Sequence, residues 1–431
     1  MKPGVPTDGM IATLSTRPGK PVWIEVGKLF DGTTVFGPTQ IVYDGHQLLH
    51  VGPDLPPAGM VREDQGSPDI VLPHHTALPG LIDAHAHLFL EGGEENPGNR
   101  AEYLKLSNEA LLERAEMRLD RLVKLGVVAV RDAGDRNGVG LALQRRFRSA
   151  GRGTMPYVDS PGPALYHQGR YGSFMGEPIE VHGSIEAAVA ARVSAGAHRI
   201  KLIATGIINF EKGTVVAKPQ LPAEELRQAV AAARRNRRQT FAHCSGHEGV
   251  SNCLEAGVDS IEHGFFADSE QLARMRDLDI AWVPTFAPVQ FQLDRAAGLG
   301  WSDAVRTNLE RILTGHAENL QTAARLGVRI VAGSDAGSHG VAHGHGFLWE
   351  LELMERAGLS VTEVLRSATA AGAERLDYSE PFGRIRAGEK ARFILTEAPI
   401  FESVRHLQRA RIVVFDGIVH TGGDDRRRSG M

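Results

Sequence analysis

Two histidines two residues apart, His85 and His87, close the run Leu78-Pro79-Gly80-Leu81-Ile82-Asp83-Ala84-His85-Ala86-His87. If that run is a strand, side chains at i and i+2 share a face, so both imidazoles can reach one metal ion. A lone His-x-His carries little weight, since neutral imidazole is only a potential ligand and such pairs also serve packing. The weight comes from downstream: an apolar run reaches Lys201, strand-like runs end in His243 and His263, and Ile330-Val331-Ala332-Gly333-Ser334 leads to Asp335. Imidazole and carboxylate suit zinc and similar divalent ions, and a hydrolytic site keeps one position for water or substrate. Lys201 is the odd member. Within Ile200-Lys201-Leu202-Ile203-Ala204 its ammonium is costly to bury, so it must be paired, depressed in pKa or chemically modified. A snorkelling or salt-bridged lysine is the plainer alternative.

These residues need strands whose ends meet. Between roughly 79 and 379, β-like runs over 78–85, 126–132, 156–160, 198–204, 239–243, 258–263, 280–285 and 328–335 alternate with helical ones over 101–125, 185–195, 223–235 and 305–326. Eight such units predict an α/β fold, a (β/α)8 TIM barrel, with its chemistry at the C-terminal strand ends, where the histidines, Lys201 and Asp335 fall. Short β runs with Asp-Gly turns over 21–78, and similar ones over 391–417, predict a small β-sandwich domain built from both termini, residues 1–78 and 380–431. Two long loops, 161–183 and 206–221, are expected to shape the substrate site.

Composition narrows the function classes. At 431 residues, 42% hydrophobic and 23% charged, the chain reads as globular, and its formal net charge of −4 gives no reason to expect nucleic acid. The basic run Arg234 to Arg238 reads as a solvated helix end, and the tail Arg426-Arg427-Arg428 as disordered. Two cysteines, Cys244 and Cys253, make no disulfide framework, and the first residues lack the apolar core of a signal peptide. A cytoplasmic protein with no membrane span is expected, a homo-oligomer acting on a small molecule.

The motif Pro79-Gly80-Leu81-Ile82-Asp83-Ala84-His85-Ala86-His87 resembles the opening signature of the amidohydrolase superfamily. Other marks follow in order: Ile200-Lys201-Leu202-Ile203-Ala204-Thr205-Gly206, Ala242-His243, Ser260-Ile261-Glu262-His263-Gly264, Gly333-Ser334-Asp335-Ala336-Gly337 and Gly383-Arg384-Ile385-Arg386-Ala387-Gly388. The resemblance spans about 22–420 and is nearest the prolidase-like and imidazolonepropionase-like branch. It implies two divalent metal ions, with His85, His87 and Asp335 on one, His243 and His263 on the other, and a carboxylated Lys201 bridging them with a hydroxide. That hydroxide would attack a carbonyl while Asp335 shuttles the proton to the leaving nitrogen.

Two departures bear on the substrate. Ser245 stands where relatives often carry a second histidine, and Thr205-Gly206-Ile207 lacks a second glycine common after that strand. In the first long loop Tyr166, His167, Arg170 and Tyr171 suggest a clamp for a substrate carboxylate, with Arg170 as its cation. Of His339, His343 and His345, His343 is expected to line the pocket, and Asp132 to hold loops together. The leading expectation is hydrolysis of an amide bond in a dipeptide or N-acyl amino acid. The alternatives are a cyclic amide, aryl carbamate or urea, lactone or phosphoester at the same site, or a scaffold that kept the fold without the chemistry.

Overall fold

A computed structural model describes residues 8–15, 20–63, 65–151, 153–375, 381–409 and 411–422. Arg426 to Arg428 lie outside the described residues. Its strands, in chain order, are β1 (Val22–Phe30), β2 (Val35–Phe36), β3 (Thr39–Tyr43), β4 (Leu48–Gly52), β5 (Ile70–Pro79), β6 (Leu81–Ala86), β7 (Val127–Asp132) and β8 (Tyr157–Asp159). They continue as β9 (Arg199–Ile203), β10 (Gln239–Cys244), β11 (Ser260–His263), β12 (Ala281–Val283), β13 (Arg392–Thr396), β14 (Arg411–Phe415) and β15 (Ile418–Gly422).

Strands from the two ends of the chain form one eight-stranded sheet in the order β15-β14-β13-β5-β1-β3-β4, with β2 beside β1. The expectation was a sandwich. Hydrogen bonding instead joins the strands on one path, because β5 pairs parallel with β1 on one edge and antiparallel with β13 on the other. Alternating inward residues such as Ile24, Val26, Phe393, Ile412 and Val414 bury a core of their own. β5 ends at Pro79 and β6 begins at Leu81, so a single glycine separates this sheet from the strand that carries the histidine pair.

The middle of the chain builds two parallel sheets, β6-β7-β8 and β9-β10-β11-β12. Their edges approach each other. His198 N donates to Ser160 O at 3.0 Å, and Leu165 N to Lys201 O at 2.9 Å. The segment expected as an eighth strand, 328–335, is the main difference: it makes a single bridge, Trp282 to Ile330, and no ladder. It still lies between β12 and β6, since Val331 N donates to Trp282 O, Ala84 N to Ala332 O and Asp335 N to His85 O. At Gly333 a Cβ would sit 2.8 Å from the Cβ of His85 and 2.6 Å from Val283, so only glycine allows this approach. The backbone leaves extended geometry at Asp335, where φ is +53°.

Helices cover the strands much as their periodicity predicts: Ile185–Ser194, Ala223–Arg235 and Asp303–Leu326. The helix expected over 101–125 is interrupted. Pro97–Tyr103 ends first, and Asn108–Lys124 starts afresh because the Ser107 hydroxyl caps it by accepting from Ala110 N at 3.2 Å. Cys244 and Cys253 are free and buried. Among the described residues no helix is long and apolar enough to cross a membrane.

Candidate active site

The sequence-predicted ligands arrive from four strands and one loop. β6 carries His85, with His87 just past its end; β9 carries Lys201, β10 His243 and β11 His263, while Asp335 follows the irregular eighth segment. One carboxylate oxygen of Asp335, Oδ1, lies 3.5 Å from His85 Nε2 and 3.4 Å from His87 Nε2. These three residues form a group able to hold a metal ion. The His263 ring stands 5.0 Å from that of His85 and 4.6 Å from that of His243.

Each imidazole is aimed by a contact on its far nitrogen. His85 Nδ1 meets Glu262 Oε2 at 2.6 Å, and His263 Nδ1 meets Thr285 Oγ1 at 2.7 Å, which turns both Nε2 atoms toward the shared centre. Burial holds these histidines neutral, pushing His85 down to about 4 and His263 to about 3, and His243 falls well below its ordinary value for the same reason. Neutral imidazole is the ligating form. Burial alone would raise the Asp335 carboxyl, but His87, His85 and His263 outweigh it and keep the group ionised.

Several buried polar atoms at this centre have no hydrogen-bond partner: His85 Nε2, His243 Nε2, Asp335 Oδ1 and Lys201 Nζ. An unsatisfied buried polar atom costs about 1–3 kcal/mol, and more when charged. Four of them around one point is a donor set lacking its acceptor, and the chemistry of nitrogen and carboxylate donors fits divalent metal. Lys201 is held against the Phe241 ring, 4.6 Å from its centroid, and burial pushes its amine down to about 8.

Beneath the ligands lies an ionic layer that the sequence did not disclose. Arg131 on β7 donates to both Glu262 carboxylate oxygens at 2.8 and 2.7 Å, and Ser260 Oγ adds a third bond at 2.6 Å. Burial would raise the Glu262 carboxyl, but Arg131 and His85 hold it well below the usual range. Glu262 therefore remains an acceptor for His85 Nδ1–H. Its only signal in the sequence is its place directly before His263 in a strand. Glu262→Gln is expected to weaken metal retention by about 10–100-fold, the usual cost of losing such a supporting carboxylate. Metal titration of the folded variant checks this, and wild-type affinity would refute the role.

A cavity of about 400 Å³ opens over the centre, lined by His87, Lys201, His243, His263 and Asp335 on its floor. Both long loops contribute to its walls as expected, with Tyr171 and Phe174 from the first and Ile207 and Phe210 from the second. The predicted carboxylate clamp fares differently. Tyr171 lines the cavity, its ring 5.2 Å from that of His243, but Tyr166, His167 and Arg170 do not. Tyr166 packs in a small apolar cluster with Ala164, Met175 and Ile203. His167 is spent between Glu180 and Glu225 at 2.8 and 2.6 Å, and exposed Arg170 donates to Lys218 O at 2.7 Å. These bonds tie the first loop to its neighbours and turn its polar tips outward. His343 is also displaced: its Nε2 lies 3.1 Å from His87 O, behind the ligand, whereas His339 reaches the lining. Asp132 holds loops as expected, accepting from Leu88 N and Ser160 Oγ. Ser245 is buried and lines the cavity.

The sequence matches the model of the amidohydrolase family over residues 76–419. The chain belongs to the amidohydrolase family. Among curated relatives of this amidohydrolase, the ochratoxinase of Aspergillus niger is 27% identical over 372 residues, covering 78% of this chain and 73% of that protein. The crystal structure of a Xaa-Pro dipeptidase with bound methionine superposes with a TM-score of 0.79 at 26% identity, covering 94% of this chain and all of the other. The crystal structure of the A. niger ochratoxinase gives a TM-score of 0.76 at 23% identity, covering 94% and 96%. The amidohydrolase is thus of the prolidase-like branch, with a TIM-barrel-type fold and an additional sheet domain, and it is a hydrolase of carbon–nitrogen bonds.

Proposed function

We propose that this amidohydrolase cleaves the amide bond of a small carboxylate-bearing substrate, a dipeptide or N-acyl amino acid, with two divalent ions, zinc by preference of the donor set. The observation that carries this is that His243 Nε2, Asp335 Oδ1 and Lys201 Nζ, all buried and unpartnered, belong to residues lining one cavity, with His85 Nε2, also unpartnered, 3.5 Å from Asp335 Oδ1. His85, His87 and Asp335 would hold one ion and His243 with His263 the second, with Lys201 between them. Such ions supply acidified water and a polarised carbonyl.

The chain's own residues do the rest. Asp335 faces His85 and His87 with Oδ1 while its Oδ2 accepts from Ser338 Oγ at 3.0 Å, a posture that would let it take a proton from water and pass it to the leaving nitrogen. Lys201, as a neutral amine, can add to carbon dioxide: its Nζ forms the N–C bond and loses a proton, giving an anionic carbamate. That product no longer carries the buried positive charge that opposes an unpartnered lysine. The apolar walls exclude water from the bond being cleaved.

Protein purified without chelators should carry about two divalent ions per chain, since six donor residues exceed what one tetrahedral ion uses. Elemental analysis reads this, and chelation should abolish turnover that added metal restores. The substrate reading is tested by a panel of dipeptides, N-acyl amino acids, aryl carbamates, ureas and lactones. Preference for the neutral carbamates, ureas or lactones would replace it, and full activity of metal-free protein would overturn the metal reading.

A further inference from the structure

With Arg170 turned away, the cavity wall offers another cation. Arg100, on the helix Pro97–Tyr103 that follows the His85 and His87 segment, lines the cavity and is half-buried there. Asn96 fixes that helix by accepting from Gly98 N at 2.8 Å and Asn99 N at 3.3 Å. The guanidinium is anchored by carbonyls alone: Nη2 donates to Gly337 O at 3.0 Å and Nη1 to Glu91 O. Gly337 is two residues beyond Asp335, and the next residue, Ser338, donates to Asp335 itself. Arg100 is therefore tethered to the same short turn that presents the proton-carrying carboxylate.

Its charge is not compensated by an ion pair. Among the described residues Arg100 forms none, and the two carboxylates that act on it through space are engaged elsewhere. Glu91 accepts from Gly93 N and pairs with Arg118 at 3.1 Å, while Glu94 accepts from Asn96 N at 2.8 Å and Asn99 Nδ2 at 2.9 Å. A guanidinium has five N–H donors, so two bonds to carbonyls leave donors for a planar anion. The same cavity wall carries Leu90, Leu104, Phe174 and Phe210. A half-buried cation with no direct ion pair, at the wall of this cavity, has donors to offer a ligand that brings its own carboxylate.

We propose that Arg100 receives the free carboxylate of the substrate, so that the site selects carboxylates whose apolar side chain lies against Phe174 and Phe210. This rests on the amide-hydrolase reading of the same cavity, and it replaces Arg170 as the residue that sets the preference. The plainer role for Arg100 is a strut that pins Glu91 to Gly337, and the two roles differ in what they do to a neutral ligand.

The test uses probes that need no turnover. 3-Phenylpropanoate and 3-phenylpropanamide are titrated calorimetrically into metal-loaded wild type, Arg100→Met, Arg100→Lys and Arg170→Met. Arg100→Met should weaken the acid by about 10–100-fold, as expected for a lost charge-assisted contact, and change the amide by less than about twofold. Arg100→Lys should fall between, keeping charge without the fork, and Arg170→Met should match wild type. Any metal–carboxylate contact is common to all four proteins and cancels. Equal weakening of acid and amide, unchanged acid binding in Arg100→Met, or acid selectivity lost in Arg170→Met would each overturn the proposal. If Arg100→Met does not fold, the same comparison is read on Arg100→Lys and Arg100→Gln. Failure of the amide reading shows separately, as absence of N-acyl amino acid turnover in wild type.

Discussion

Asp335→Asn is expected to lower kcat by about 10²–10⁴-fold, the range for losing a general acid–base group, while the protein stays folded and keeps at least one metal ion. The asparagine amide oxygen can still lie 3.4–3.5 Å from His87 and His85 while its NH2 donates to Ser338 Oγ, so the geometry has partners to preserve it. What it cannot do is carry a proton. The carboxylate is held ionised by His87, His85 and His263, so wild-type Asp335 is unprotonated across the ordinary pH range. Steady-state kinetics with metal content measured on the same sample decides the matter. A variant turning over near the wild-type rate would move the proton shuttle to another residue.

Lys201→Ala is expected to lose metal and activity together, with turnover down by about a thousandfold or more, since bound ions contribute several kcal/mol to such reactions. The reasoning is electrostatic. Lys201 lies among His85, His243 and His263 with Nζ unpartnered, and Glu262, the carboxylate that acts on it most strongly through space, is occupied by Arg131, Ser260 and His85. An ammonium left there would repel metal at the same centre, whereas a carbamate would attract it. Partial rescue of Lys201→Ala by added short carboxylic acids is the supporting result, read by turnover and by elemental analysis. A variant that retains both ions and normal rates would exclude a bridging role.

The sequence by itself determined most of the elements and the residues that the fold brings together at the candidate site. Strand periodicity placed His85 and His87 on one face, and seven of the eight expected inner strands form near their predicted positions. His243, His263, Lys201 and Asp335 were legible because each lies in or at the end of a strand-like run, and such a run is a local property. The resemblance to amidohydrolases grouped them on the same grounds.

Tertiary structure decided what depends on contacts between distant segments. Glu262 serves His85 across 177 residues, and Arg131 neutralises Glu262 across 131, pairings that no local pattern records. The eighth segment is bent rather than laddered because Gly333 must pass close to His85. His263, Thr285 and Asp335 all adopt positive φ at the site, a strain of about 1–3 kcal/mol each that the surrounding packing must sustain. The substrate wall was least legible. Arg170 and Arg100 look equally suitable as types, and only the fold turns the first outward to Lys218 O and places the second in the cavity lining. Side-chain chemistry is written residue by residue, but whether a charge is already satisfied depends on neighbours that chain closure alone supplies.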